Sequence, residues 1–242
     1  MNKILKTEIG NVLAVITARG GSVGIPGKNI KMLGNRPLIA WSISECAKSL
    51  YITDLIISTD SEEIAEVSRT YGGVVPFIRP SALAQSTTSH VPVMQHAVTE
   101  MERIKGITYK YVVIIQPTSP FRKYGYIDEL LELMLAENAD SGVTVYEVDS
   151  KYHPTKMKKM LGNIVIDYCE GEAKGGVRRQ DLEPVYKRSS DVYITERKCL
   201  MDYDRIYGEK VAGYVVDSQR VVDMDTLADW EQAESIAKKI LD

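Results

Sequence analysis

The chain of 242 residues is 44% hydrophobic and 26% charged, an ordinary globular composition that excludes a disordered or fibrous chain. Its 30 basic and 33 acidic residues leave a net charge of −3, which lends no support to general nucleic-acid binding. Apolar runs stop far short of the about 20 residues that cross a bilayer, and the N-terminal stretch lacks the apolar core of a leader, so no membrane partner is expected.

The first half alternates strand and helix signals. Residues 12–16 are a continuous apolar run, as in a strand covered on both faces. A glycine-rich loop follows over 19–27. Residues 38–50 carry Leu38, Ile39, Trp41, Ile43, Cys46 and Ala47 in a helical stripe. Residues 55–57 predict the next strand, ending in Ser58-Thr59-Asp60. Ser61-Glu62-Glu63 then opens a helix with its acids in the first turn, where the helix dipole favours them, and Gly72 ends it. A helix over 91–104, a strand over 111–115, an amphipathic helix over 126–138 and a strand beginning at 143–145 continue the series. Repeated βα units predict an α/β fold, a three-layer sandwich with a mostly parallel sheet and helices on both faces.

Residues 151–187 break the series. They are rich in Lys, Arg and Gly, and read as an excursion from the core, a lid or a partner-contact arm. Strand signals resume at 191–194, 211–216 and 220–222. Residues 226–241 close as a helix that Thr226 or Asp225 could cap. The reading is one core domain over 1–242 with an insertion. Cys46, Cys169 and Cys199 lie far apart without a CxxC pair, which points to reduced thiols and a cytoplasmic setting. His90, His96 and His153 lack zinc-site spacing.

Three features carry chemistry. The first is Ala18-Arg19-Gly20-Gly21-Ser22-Val23-Gly24-Ile25-Pro26-Gly27-Lys28-Asn29, between a strand and a helix. Its glycines let backbone N–H groups approach a phosphate, and Arg19 and Lys28 add positive charge. It matches neither GxxxxGK[ST] nor GxGxxG, and a plain turn is the bland alternative. The second is the pair Asp223 and Asp225. On an extended strand the two carboxylates face one way and suit Mg²⁺ shared with substrate phosphates; the bland alternative is a solvated strand end. The third is Gln116-Pro117-Thr118-Ser119-Pro120-Phe121-Arg122, beyond a strand's carboxyl end, where ligands bind in open α/β sheets.

With these motifs together the chain resembles the acylneuraminate cytidylyltransferases, over roughly residues 12–237. The family's ARGGSKGIPxKN-like motif is matched by residues 18–29, STD by 58–60, RP by Arg79-Pro80 and QPTSPxR by 116–122. A HPxK-like piece is His153-Pro154-Thr155-Lys156, RRQDL is 178–182, and DxD is 223–225. The resemblance implies a Rossmann-like nucleotide-diphospho-sugar transferase fold with a dimerisation arm at about 147–188. It also implies CMP transfer from CTP to the anomeric hydroxyl of a sialic-acid-like nonulosonic acid, with release of pyrophosphate. In that reading Ala18, Arg19, Gly20, Gly21, Ser22, Lys28, Asn29, Arg79, Thr88 and His90 meet the nucleotide. Gln116, Lys156, Arg179 and Tyr193 meet the sugar, and Asp223 and Asp225 hold Mg²⁺. Arg19, Lys28, Asp223 and Asp225 form the catalytic set. The implied assembly is a homodimer or a dimer of dimers, with one subunit's arm reaching its partner's site.

Two departures stand out. Val23 occupies the place of a usual family lysine. Ser189-Ser190-Asp191 replaces a usual Asn-Gly, and the Asp191 carboxylate could meet an amine-bearing sugar or face solvent. The alternatives are CMP activation of Kdo, legionaminic or pseudaminic acid, and a nucleotide-binding homologue without catalysis.

Overall fold

The apolar runs become strands buried on both faces. The computed structural model describes residues 6–22, 24–169 and 178–241. A short α1 (Lys6–Ile9) precedes β1 (Val12–Thr17). A ribbon of β2 (Met32–Leu33) and β3 (Arg36–Pro37) leads into α2 (Leu38–Cys46). Then come β4 (Asp54–Ser58), α3 (Glu62–Thr70), α4 (His90–Lys105), β5 (Tyr111–Ile115), α5 (Tyr126–Glu137) and β6 (Ser141–Glu147). A hairpin of β7 (Lys158–Leu161) and β8 (Ile164–Asp167) follows. The chain returns through β9 (Tyr186–Glu196), α6 (Arg197–Asp202), β10 (Val211–Val215) and α7 (Leu227–Leu241).

The main sheet has six strands in the order β10-β6-β9-β5-β1-β4. All its pairs are parallel except those of β9, which runs antiparallel to both β5 and β6. Alternate side chains of β1 go to opposite faces, as the pleat requires. Val12, Ala14 and Ile16 join α2, α3 and α5 in one core. Leu13 and Val15 join α4 and Leu200 of α6 in another. Helices on both faces of one mostly parallel sheet make the three-layer sandwich expected.

A third cluster positions the site. Ile25 of the glycine-rich loop, Trp41 of α2, Phe121, Met224 and Trp230 of α7 are buried together. Trp41 and Phe121 meet edge-to-face, with centroids 5.3 Å apart. The cluster gathers one residue from each of the three motif loops.

Three expectations change and a fourth is narrowed. Residues 220–222 form no strand, because residues 218–220 turn as a 3-10 segment and 221–225 run irregularly into α7. The resumed strand at 191–194 belongs to an antiparallel β9, a pairing that apolar periodicity does not encode. The helix from Leu38 ends at Cys46, after which Ser49 and the Leu50 N–H bind the buried Asp128 carboxylate. Thr226 alone caps α7: its hydroxyl accepts from Asp229 N–H, and Asp229 accepts from Thr226 N–H at 2.7 Å, a reciprocal capping box. Cys46, Cys169 and Cys199 are free thiols, and burial pushes Cys46 up to about 11.

Met224 is fully buried in the third cluster. Met224→Ala is expected to cost about 2–5 kcal/mol of stability through lost burial and a cavity, read as a lower midpoint in urea unfolding.

Candidate active site

The loop after β1 is shaped mainly by its own backbone and by Asp60. Asp60 Oδ1 accepts from Gly20 N–H at 3.0 Å and lies 3.7 Å from Arg79 Nη2. Arg79 N–H donates to the Thr59 carbonyl at 2.7 Å. Arg79 is almost wholly buried, and its Nε has no hydrogen-bond partner among the described residues. Burial pulls its guanidinium below the ordinary value, with Asp60 opposing. Arg19 Nη1 donates to the Gln85 carbonyl at 3.1 Å, which aims it across the loop. Buried Asn29 donates to the Arg19 carbonyl at 3.0 Å and closes the loop on itself.

The loop after β5 is tied down by Arg122. Its guanidinium, buried, donates to the carbonyls of Asp191 and Gln116 and to Ser42 Oγ. That links β9, α2 and the start of the loop. Gln116 is thereby held with its side-chain nitrogen 2.8 Å from His90 Nε2, at the start of α4. Burial, then the charge of Arg79, holds His90 below its ordinary value, so the ring is neutral near pH 7 and can accept from the Gln116 amide.

The acid segment is clamped from both sides. Met224 N–H donates to the Thr118 carbonyl at 3.2 Å, and Lys28 Nζ donates to the Met224 carbonyl. Lys28 also lies 3.3 Å from Asp225 Oδ1. Asp225 N–H donates to the Asp223 carbonyl at 3.2 Å, a tight turn between the two acids. The even-spaced strand that was to align them is absent, yet both line one cavity. Asp223 is exposed at the cavity wall, yet partial desolvation followed by the charge of Asp225 pushes its carboxyl up. The Asp225 side chain is 75% exposed.

Two cavities adjoin here. The first, of about 580 Å³, is lined by Arg19, Ser22, Lys28, Asn29, Arg79, Thr88, Asp225 and neighbours. The second, of about 720 Å³, is lined by Lys187, Arg188, Ser190, Tyr193, Tyr207 and neighbours. His90, Gln116 and Asp223 line both.

Most expected site residues are thus gathered. Ala18, Gly20 and Gly21 shape the loop behind the first cavity without lining it. Lys156 sits on a 3-10 turn and lines neither cavity of its own chain. Val23 and the Arg179 side chain lie outside the described residues; the Arg179 backbone forms a 3-10 turn beside an exposed Arg178–Asp181 pair. Asp191 does not face solvent and lines neither of these cavities; it is buried near Arg122, and burial raises its carboxyl. Sequence reasoning missed Gln85, Lys187, Arg188 and Tyr207. The two cations were masked by a basic, aperiodic stretch, and Tyr207 stands in a loop with no motif.

A family model described as Cytidylyltransferase matches residues 13–238. The CMP-N,N′-diacetyllegionaminic acid synthase of Legionella pneumophila is 31% identical, covering 93% of this chain and 95% of that protein. The N-acylneuraminate cytidylyltransferase of Escherichia coli is 26% identical, covering 94% of this chain and 52% of that protein. A solved structure of CMP:2-keto-3-deoxy-manno-octonic acid synthetase complexed with CTP shares the fold at 13% identity. Its TM-score is 0.71, and the match covers 95% of this chain and 99% of that one.

A Cβ on Gly24 would stand 2.2 Å from the Asp225 carbonyl oxygen. Gly24→Ala must therefore push the loop away from the acid segment. The expected result is CTP binding weakened at least about tenfold by calorimetry, with the circular dichroism spectrum unchanged.

Proposed function

We propose that this chain, which belongs to the cytidylyltransferase family, transfers CMP from CTP to the anomeric hydroxyl of a sialic-acid-like nonulosonic acid and releases pyrophosphate. The observation that carries this reading is the junction of the two cavities at His90, Gln116 and Asp223. CTP would fill the first, its triphosphate against Arg19, Lys28 and Arg79, whose charges offset its own. Ser22, Asn29, Thr88 and His90 would surround the nucleotide. The sugar acid would fill the second, against Gln116 and Tyr193. Its anomeric oxygen then bonds to the α-phosphorus at the shared edge, losing its proton to solvent, as the bond from that phosphorus to the bridging oxygen of pyrophosphate breaks. Such transfer is accelerated chiefly by holding the reactants in line and offsetting developing charge. Relatives named for diacetyllegionaminic acid and N-acylneuraminate support this acceptor class.

The donors fit Mg²⁺. Asp223 and Asp225 offer hard oxygens on the cavity that would take the phosphates, and their mutual repulsion is what a divalent cation relieves. Among the described residues no cluster of three or more His, Cys, Asp or Glu is spaced for a metal, so phosphate oxygens and water would complete the shell. Bound there, Mg²⁺ would neutralise phosphate charge during transfer.

The chain would act as one catalytic unit, with the arm at about 147–188 joining a homodimer or a dimer of dimers. Support comes from the β7–β8 hairpin, which leaves Met160, Leu161, Ile164 and Val165 exposed on both strands. In that dimer Lys156 and Arg179 would meet the sugar acid in the partner's cavity. The free thiols fit a cytoplasmic setting.

Asp225→Ala is expected to lower pyrophosphate release from CTP and a nonulosonic acid by about a hundredfold or more, with the fold intact. Chelation should silence the wild type and added Mg²⁺ restore it; full turnover by the variant would refute the metal role. Leu161→Glu with Ile164→Glu should shift the sedimentation coefficient from dimer to monomer.

A further inference from the structure

The part of the second cavity that the first does not share has one wall built by β9 and the loop between α6 and β10, and another by Tyr146, Val222, Asp229 and Gln232. Tyr193 and Tyr207 meet there nearly edge-on, with centroids 6.2 Å apart at 67°. Each hydroxyl is tethered to β9. Tyr193 donates to Ser190 Oγ at 3.2 Å, and Arg188 Nη1 donates to the Tyr207 hydroxyl at 2.7 Å. The Arg188 guanidinium also lies 5.6 Å from the Tyr207 ring centroid.

β9 is bent to present these groups. Its register against β6 shifts between Val143 and Val145, and Ser190 is held at φ +62°, a left-handed conformation that costs a serine about 1–2 kcal/mol. Arg188, Ser190 and Tyr193 all line the cavity, although strict strand alternation would put Tyr193 on the face opposite the other two. None of Arg188, Ser190, Tyr193 and Tyr207 lines the first cavity, so they touch the acceptor and not the triphosphate.

The chemistry of this wall is one-sided. The Tyr207 hydroxyl accepts from Arg188 and keeps its own proton to donate. Among the described residues Tyr207 is the only side-chain partner of the guanidinium, which leaves most of its N–H donors for a ligand. A fixed cation beside a donor hydroxyl binds an oxygen acceptor and repels an ammonium group. Of the carboxylates that line the cavity, Asp223 sits on the edge shared with the first and Asp229 Oδ2 is taken by the N–H groups of Asp225 and Thr226, while Asp191 is buried and lines neither cavity.

We infer that Arg188 and the Tyr207 hydroxyl form a specificity clamp that reads an acyl oxygen on the sugar acid, away from its anomeric end. The acceptor's amino groups must then already be acylated when CMP is transferred. The inference rests on the CMP-transfer reading above.

The test compares wild type, Arg188→Met and Tyr207→Phe in pyrophosphate release from CTP. The acylated acceptors are N-acetylneuraminic, N,N′-diacetyllegionaminic and pseudaminic acids. The control is 2-keto-3-deoxynononic acid, which carries hydroxyls in place of acylamido groups. Both variants are expected to raise KM for the best acylated acid about tenfold, about 1.4 kcal/mol, with kcat and the KM for CTP unchanged. KM for the hydroxyl-only acid should not move. An unchanged KM for the acylated acid, an equal rise for both kinds of acid, or a wild type that prefers the hydroxyl-only acid overturns the clamp. A wild type inactive on every acid overturns the transfer reading and the clamp with it.

Discussion

The site depends on where the peptide of Met224 sits. Its N–H binds the Thr118 carbonyl, its carbonyl receives the Lys28 ammonium, and its side chain is buried beside Ile25 and Trp230. One residue thereby joins three loops, including partners 196 positions apart in sequence. The sheet brings the carboxyl ends of β1 and β5 side by side, but strand ends alone leave their loops free. A charged hydrogen bond worth about 1.5–3 kcal/mol and a buried methionine worth a similar amount remove that freedom. The acids keep their place because the residue between them is part of a core.

Charge follows the same local logic. The net of −3 averages over a first cavity that gathers Arg19, Lys28 and Arg79 on one side and two carboxylates on the other. Arg79 is the most constrained of these, being buried with an Nε that lacks a partner among the described residues and with Asp60 3.7 Å from its Nη2. A buried cation left short of partners is costly unless a ligand completes it. Arg122, equally buried, has carbonyl and hydroxyl partners and serves as a structural tie.

Much of this was legible beforehand, for identifiable reasons. β1 and β5 were found because strands buried on both faces are continuously apolar. α3 was found because Ser61 and its two glutamates mark a helix start in any context. The antiparallel course of β9 was invisible, since direction is a property of the sheet and not of the strand. The acids at 223 and 225 were correctly grouped by a wrong argument: a tight turn and a buried methionine, not strand parity, bring them to one cavity. Arg188 and Tyr207 carried no signal, because their meaning comes from contact across 19 positions.

The narrow border between the cavities has a consequence for how such a protein can diversify. Among the described residues only His90, Gln116 and Asp223 face both sides, so the remaining walls can change independently. Changes along β9 or in the loop before β10 can re-cut the second cavity while the first keeps its cations and its two acids. Drift in one compartment is insulated from the other, and a lineage can rebuild one wall without disturbing what the other has learned to hold.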